Sequence, residues 1–448
     1  MNNSATNASA GNHSRYPTAG YAWYMVILLT LAYICSFIDR FMLGLLVEPI
    51  KADLGFSDTQ LGLLLGPAFA IFYATMGLPL GWMADRYRRG WIVAIGITVW
   101  SAATIACGLV KNFLQMFIAR MSVGIGEATL SPCAISMISD SFPPERRAKP
   151  IAFYSMAISI GAAIASLFSA TVLIWAKSSP ETTLPLVGVV APWQFAFIVV
   201  GLPGFILALM FFTLREPRRQ DRGLTEGLGN ASLVDTLKFI LQRWQAFASF
   251  LTIFCLMTTV AYSQGWSAAL FMRTWGWEAS RFALVNGLVL LAIGPAMVNL
   301  AGWWCDRWYA AGTQDAALRI AAIGAFIMVV TGVIAPLMPT GELAMVMFAL
   351  NAVGMAITTA TGVTALLNMT PGEIRAQVVA FYYMAISLAG LLLGPTTIGI
   401  LNDQVFGEAG LKYSMALLPF VYGLPVLLLV PVTLRLYART CAELRGEG

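Results

Sequence analysis

The sequence predicts an all-α membrane protein: twelve transmembrane helices in two six-helix bundles. Three observations predict it. Of the 448 residues, 58% are hydrophobic and only 11% charged, against roughly a quarter charged in soluble proteins. The apolar residues gather in twelve runs, each near the ~20 residues that a helix needs to cross the hydrocarbon core. Two polar-containing stretches of the first half recur, in order, in the second.

The spans read as 22–47, 59–84, 91–110, 113–138, 149–176, 192–213, 246–272, 281–304, 317–338, 342–368, 375–401 and 411–434. Residues 1–20 are polar and small and are expected to form a disordered tail. The first bundle then runs over 21–214, a linker over 215–245, the second bundle over 246–434 and a second tail over 435–448. Lys and Arg fix the orientation. Nineteen lie in the two tails and the loops after even-numbered spans, six on the opposite side, and two, Arg40 and Arg120, inside spans. Both termini and the linker, with its R-E-P-R-R-Q-D-R-G run, are therefore expected in the cytoplasm of a cell bounded by this plasma (inner) membrane.

Composition also excludes function classes. His13 is the only histidine and lies in the polar tail, which argues against histidine metal sites and Ser–His catalysis. None of the six cysteines belongs to a C-x-x-C pair, and most sit in apolar stretches as small packing residues. No lysine follows a glycine, so the chain holds no phosphate loop and no ATP drive. A net charge of +5 is small for this length and points to no nucleic acid. The chain is expected to be neither an enzyme nor a cofactor protein, and to work as a monomer among membrane lipids.

The repeat is explicit. ERRAKPIAFYSMAIS at Glu145–Ser159 and EIRAQVVAFYYMAIS at Glu373–Ser387 share ten of fifteen residues at an offset of 228. GWMADRY at Gly81–Tyr87 pairs with GWWCDRW at Gly302–Trp308 at an offset of 221. Two six-span units of the same orientation are thereby related by an axis along the membrane normal.

Gly81-Trp-Met-Ala-Asp85-Arg86-Tyr-Arg88-Arg89 resembles the loop 2–3 signature of the major facilitator superfamily, G-x-x-x-D-R-x-G-R-R/K, with Arg88 in place of the second glycine. The resemblance implies two bundles rocking about a central site. It also assigns Gly81, Asp85, Arg86 and Arg89, with the repeat's Asp306 and Arg307, to a cytoplasmic gate. Gly81 is suited to close helix approach, and the aspartates to a helix N-terminus.

Four charges stand deep inside spans: Asp39, Arg40, Arg120 and Glu127. Each costs roughly 2.5–3.5 kcal/mol at a helix centre, so each needs a partner, water or a role. Arg120 and Glu127 share a helix face about 10 Å apart, with Gly124 and Gly126 thinning the helix between them. Pairing Asp39 with Arg120, or Arg40 with Glu127, joins spans 1 and 4. At the repeat offsets the second half carries Val260, Ala261, Phe348 and Met355 instead, and offers Ser263, Gln264, Asn286, Asn351, Thr358 and Thr359. A charge set required only by the six-helix unit would recur, so the cluster reads as functional. A carboxylate that loses its arginine in a low dielectric takes up a proton. Asp39 is thus expected as the main proton site and Glu127 as the second, with Arg40 and Arg120 as charge partners or head-group contacts. Tyr73, Tyr262, Trp266 and Tyr382 are candidate cavity-lining aromatics.

Tyr33-Ile-Cys-Ser-Phe-Ile-Asp39-Arg40-Phe41, with Arg120-Met-Ser-Val-Gly124-Ile-Gly126-Glu127-Ala128-Thr129, resembles the Spinster group, which shows D-R-Y and R-x-x-x-G-x-G-E-A-S/T at these places. Phe41 and Thr129 depart from that pattern. The resemblance implies proton-linked movement of sphingolipids or lysophospholipids, hence a small amphipathic substrate. A multidrug–proton antiporter and an organic-anion/proton symporter on the same fold are the alternatives.

Overall fold

The computed structural model describes residues 16–143, 146, 148–178, 182–184, 188–218, 233–371 and 374–445. It holds twelve apolar helical spans where the sequence places them. Span 1 is Ala19–Leu45, so the helix begins inside the expected tail, of which residues 1–15 lie outside the described residues. Val47–Leu54 turns the chain, and span 2 follows as Asp58–Leu65 and Pro67–Arg86. Spans 3 and 4 are Arg89–Cys107 and Phe113–Ser141, the latter broken after Glu127. Span 5 is Ala148–Ser178, interrupted at Met156, and span 6 is Pro192–Phe212. Between them Thr182–Leu184 and Gly188–Val190 form an antiparallel pair that the sequence reading lacked.

Beyond the linker come a short helix, Leu233–Gln242, and span 7, Trp244–Ser263 continued by Ser267–Trp275. Spans 8 to 10 are Ala279–Ala310, Ala316–Ile334 and Gly341–Asn368. Span 11, Arg375–Leu401, ends in a widened turn at Asn402–Phe406. Span 12 runs unbroken from Leu411 to Arg445, so residues 435–445 are helix rather than the expected tail. Loops 1–2, 7–8 and 11–12 come together within one part of the structure, here called the distal end.

Two of the prolines in the spans mark breaks. Pro67 opens the second part of span 2, a position that needs no amide hydrogen. Pro132 cannot donate to the Ala128 carbonyl, where span 4 is interrupted. Pro79, Pro203, Pro295, Pro395 and Pro425 stay within continuous helices.

The described chain forms two compact units, residues 1–40, 71–162 and 180–229, and residues 41–70, 163–179 and 230–448. This division differs from a boundary in the linker, because the distal parts of spans 1, 2 and 5 group with the second repeat.

Inside the first unit, Gly126 of span 4 meets span 3 so closely that an added Cβ would sit 2.8 Å from the Gly96 carbonyl. Inside the second, Gly354 and Gly324 repeat that crossing at the 228 offset, with 2.6 Å from Cβ to carbonyl. Thr129 and Thr358 each donate a 2.8 Å bond to the carbonyl of their glycine, Gly126 and Gly354. Tyr154 stacks on Tyr33 with ring centroids 4.6 Å apart, and their counterparts Tyr382 and Phe254 meet at 5.7 Å. The repeated AFY motif is therefore a packing device between spans 1 and 5 and between spans 7 and 11. Small residues let backbones approach in membranes, where dispersion rather than water drives helix association. Gly354→Leu is accordingly expected to leave no folded monomer in detergent gel filtration, whereas Gly302→Leu, where a Cβ meets open space, keeps the wild-type profile.

The second unit adds a crossing of another kind. Gly44 of span 1 and Gly265 of span 7 are repeat counterparts, and a Cβ on Gly44 would lie 2.8 Å from the Gly265 carbonyl. A residue can touch its own equivalent only on the symmetry axis. The axis thus passes through this point near the distal end, and the helical ladder of span 7 is interrupted there by Gln264–Trp266.

Candidate functional site

The four intramembrane charges meet within the first unit. Span 4 places Arg120 and Glu127 on one face, and the Asp39–Arg40 step of span 1 lies against it. The sequence left two pairings open; both form. Arg40 donates through Nε to Glu127 Oε2 at 2.6 Å, and the Ser36 hydroxyl donates to the same oxygen at 2.6 Å. Arg120 Nη1 lies 3.4 Å from Asp39 Oδ1, and Thr104 of span 3 donates to Asp39 Oδ2 at 2.9 Å. Adjacent residues on a helix diverge by about 100°, so the two carboxylate–arginine pairs form separate layers rather than one knot.

Burial grades them. Asp39 and Glu127 are each 1% exposed and Arg120 2%, whereas the Arg40 side chain keeps 14%. The Arg40 guanidinium sits 4.7 Å from the Tyr73 ring centre and 5.0 Å from that of Phe37, a cation–π seat that suits a partly desolvated arginine. Both oxygens of Asp39 are engaged. Glu127 Oε1, in contrast, is buried with no hydrogen-bond partner among the described residues. An unmet buried oxygen costs free energy unless it gains a proton, a water or a ligand.

The polar residues named in the second half are engaged, mostly by neighbours in the same half, with Asn286 reaching span 5. Ser263, Thr358 and Thr359 donate to the carbonyls of Val260, Gly354 and Met355. Gln264 accepts from Ser267, Asn286 bonds Ser166, and Asn351 bonds the Met328 carbonyl and Thr331. The charge asymmetry read from the sequence is thus an asymmetry of available polar chemistry.

The candidate aromatics separate. Tyr73 belongs to the charge cluster through Arg40. Trp266 does not line a cavity: it is wholly buried, and its indole N–H donates to the Pro395 carbonyl at 3.0 Å. Tyr382 is likewise packing, 5% exposed against Phe250 and Phe254. Tyr262 is half-buried and flanks Gly390 of span 11.

The gate residues differ from expectation. Around Gly81 an added Cβ meets nothing within 4 Å, so this glycine makes no close helix approach in this conformation. Arg86 and Arg307 are exposed and lie over Trp82 and Trp303, and Asp306 is exposed. The Asp85 side chain lies outside the described residues. Arg89 turns inward, 1% exposed. It donates to Glu216 at 2.7 Å, to Ser136 at 2.6 Å, to the Pro217 carbonyl at 3.2 Å and to Asp140. It staples the start of span 3 to span 4 and to the segment after span 6, a role within one bundle that its place in an exposed basic motif concealed.

This arrangement of twelve spans, paired six-helix repeats and an intramembrane charge cluster has clear relatives. The family model of the Major Facilitator Superfamily matches residues 29–310. The chain belongs to the major facilitator superfamily. Among superfamily members, an efflux pump of Mycolicibacterium smegmatis is 28% identical over 395 residues, covering 87% of this chain and 86% of the pump. Protein spinster of Drosophila melanogaster is 28% identical over 218 residues, 48% of this chain and 33% of that protein. A solved bacterial homologue of the human lysosomal transporter Spinster, inward-facing and unoccupied, superposes with a TM-score of 0.78 at 25% identity, covering 95% of this chain and 98% of that one. The Spinster resemblance therefore holds in both sequence and fold. The protein is a multi-pass membrane transporter of the major facilitator type and not an enzyme.

Proposed function

We propose that this transporter is proton-coupled and moves an amphipathic, lipid-like substrate of the lysolipid or sphingoid class by alternating access. The observation that carries the reading is the half-satisfied Glu127. One oxygen is held by Arg40 and Ser36, and the other is buried without a partner among the described residues. A site with one bare oxygen is built to take and release a proton, and the arginine opposite, the most exposed of the four charges, is the group a substrate meets first. This puts Glu127 ahead of Asp39, whose oxygens are both engaged. The lipid-like class rests on one-sided polarity: the four deep charges all belong to the first repeat, and their counterparts in the second are Val260, Ala261, Phe348 and Met355.

A second reading has support of its own. Relatives include a probable L-galactonate transporter of Escherichia coli, 30% identical over 43% of this chain. A partly exposed guanidinium also suits a carboxylate, so a small organic acid moved with a proton is the rival substrate. Proteoliposomes containing a pH-sensitive dye decide between them. A lysolipid is expected to cause an internal pH change, while a sugar acid and a cationic drug cause none. A response to the sugar acid alone selects the second reading, and no response to any substrate under an imposed gradient removes proton coupling.

A further inference from the structure

The distal end of the second unit holds a second charged cluster, apart from the one between spans 1 and 4. Asp58, at the first turn of span 2, is 0% exposed. Arg273, at the end of span 7, grips it with two nitrogens at 2.6 and 2.9 Å. Lys51 reaches the same carboxylate at 2.7 Å, and the Asn402 side-chain amide of span 11 does so at 3.1 Å. Arg273 also bonds Glu48 at 2.7 Å, and Lys51 also pairs with Glu408. Asp403 accepts from the backbone N–H groups of Asp58 at 3.2 Å and Thr59 at 2.7 Å, the place where a helix N-terminus favours an anion. One buried carboxylate thereby gathers the short Val47–Leu54 helix with spans 2, 7 and 11.

The repeat shows what is special about it. Spans 2 and 11 cross at the same level as spans 8 and 5, and both crossings are glycine contacts. Gly62 of span 2 lies against the Pro395 carbonyl, and Gly287, the counterpart of Gly66, lies against Ser166 and Leu167 of span 5. At the repeat offsets, however, Asp58 becomes Ala279, Arg273 becomes Ala52, and Asn402 and Asp403 become Ile174 and Trp175. Spans 5 and 8 are linked instead by the neutral Asn286–Ser166 bond of 3.1 Å. The fold itself therefore tolerates this crossing without charges.

We propose that Asp58 is a positioning residue of the transport cycle: it holds the Val47–Leu54 helix and the start of span 2 to spans 7 and 11, and the span 2–11 side is the one that unlocks when this end opens. Charges suit a seam that must part, because water rehydrates them as it opens, whereas a buried apolar seam gains nothing from the water it meets. The same carboxylate explains why Lys51 and Arg273 stand on the side of the chain where basic residues are scarce. The proposal rests on the alternating-access reading but not on proton coupling.

The test reads conformation directly. Spin labels are placed at Leu109→Cys, just after span 3, and Leu343→Cys, in the first turn of span 10, both exposed, with the half-buried Cys35 and Cys255 replaced by serine. In the double variant Asp58→Asn/Arg273→Gln, which removes both charges together, the long-distance population is expected to rise about fivefold or more. Arg273→Lys, which keeps the charge and loses the fork, is expected to shift it in the same direction by less, and serves alone should the double variant not purify as a monodisperse protein. Distance distributions identical to those of the labelled parent in whichever of these variants folds overturn the proposal. The ratio of protons to substrate, measured in the same variants, is expected to stay at its parental value; that measurement separates a failed latch from a failed coupling site.

Discussion

Glu127→Gln is expected to exchange substrate across the membrane at close to the parental rate while losing all pH-driven accumulation. Glutamine keeps the volume and can still meet Ser36, so span 4 retains its packing, but it cannot bind a proton at membrane depth. One pH unit acting on one proton is worth about 1.4 kcal/mol, which corresponds to a tenfold substrate gradient. The variant should therefore fall from roughly tenfold accumulation to none, with counterflow of labelled substrate preserved. Asp39→Asn, whose side chain can still accept from Thr104, should keep part of the gradient. If the two variants behave in the reverse order, Asp39 is the proton site, as the sequence by itself suggests.

Arg120→Ala should instead act on stability. It leaves the buried Asp39 carboxylate, 1% exposed, with the Thr104 hydroxyl bond but without the Arg120 charge. Stranding one member of a buried ion pair costs about 3–5 kcal/mol, far more than the pair itself is worth, because an uncompensated charge stays behind. The loss should appear as a lowered unfolding midpoint in detergent. Adding Asp39→Asn should restore most of it, since two neutral side chains need no counter-ion. Simple addition of the two single losses would show that the residues do not act as a pair, despite the 3.4 Å separation.

Much of this was legible in the chain. Span positions follow from hydropathy alone, because a backbone in lipid has no alternative to the helix. The four deep charges were conspicuous for the same reason. What sequence could not provide was direction around each helix. Tyr382 and Trp266 read as cavity aromatics because sequence does not say which way an aromatic in a span faces; one packs against span 7 and the other bonds the Pro395 carbonyl. Arg89 hid in a run of exposed arginines, and only the approach of Asp140 and Glu216 from distant parts of the chain reveals its place.

Asp58 was missed for a different reason. At the edge of a span, after Ser57 and before Gln60, it looks like an ordinary first-turn acid, and Ser57 and Gln60 do form a capping box. The usable signal was the pair of basic residues, Lys51 and Arg273, on the side where they are rare. Gly126 thins span 4 as expected and admits span 3, a packing role shared by both repeats through Gly354; the residue that follows it is Glu127 in one half and Met355 in the other.

The neutrality of the cluster has an electrical consequence. Asp39 and Glu127 balance Arg40 and Arg120, so a bundle carrying all four past the membrane field moves no net charge when empty. With one proton aboard, the same motion carries a unit charge, on which 100 mV acts with about 2.3 kcal/mol if it crosses the whole field. Under voltage clamp, the return of the empty carrier should be indifferent to the holding potential, and a neutral substrate moving with its proton should be the voltage-sensitive half of the cycle.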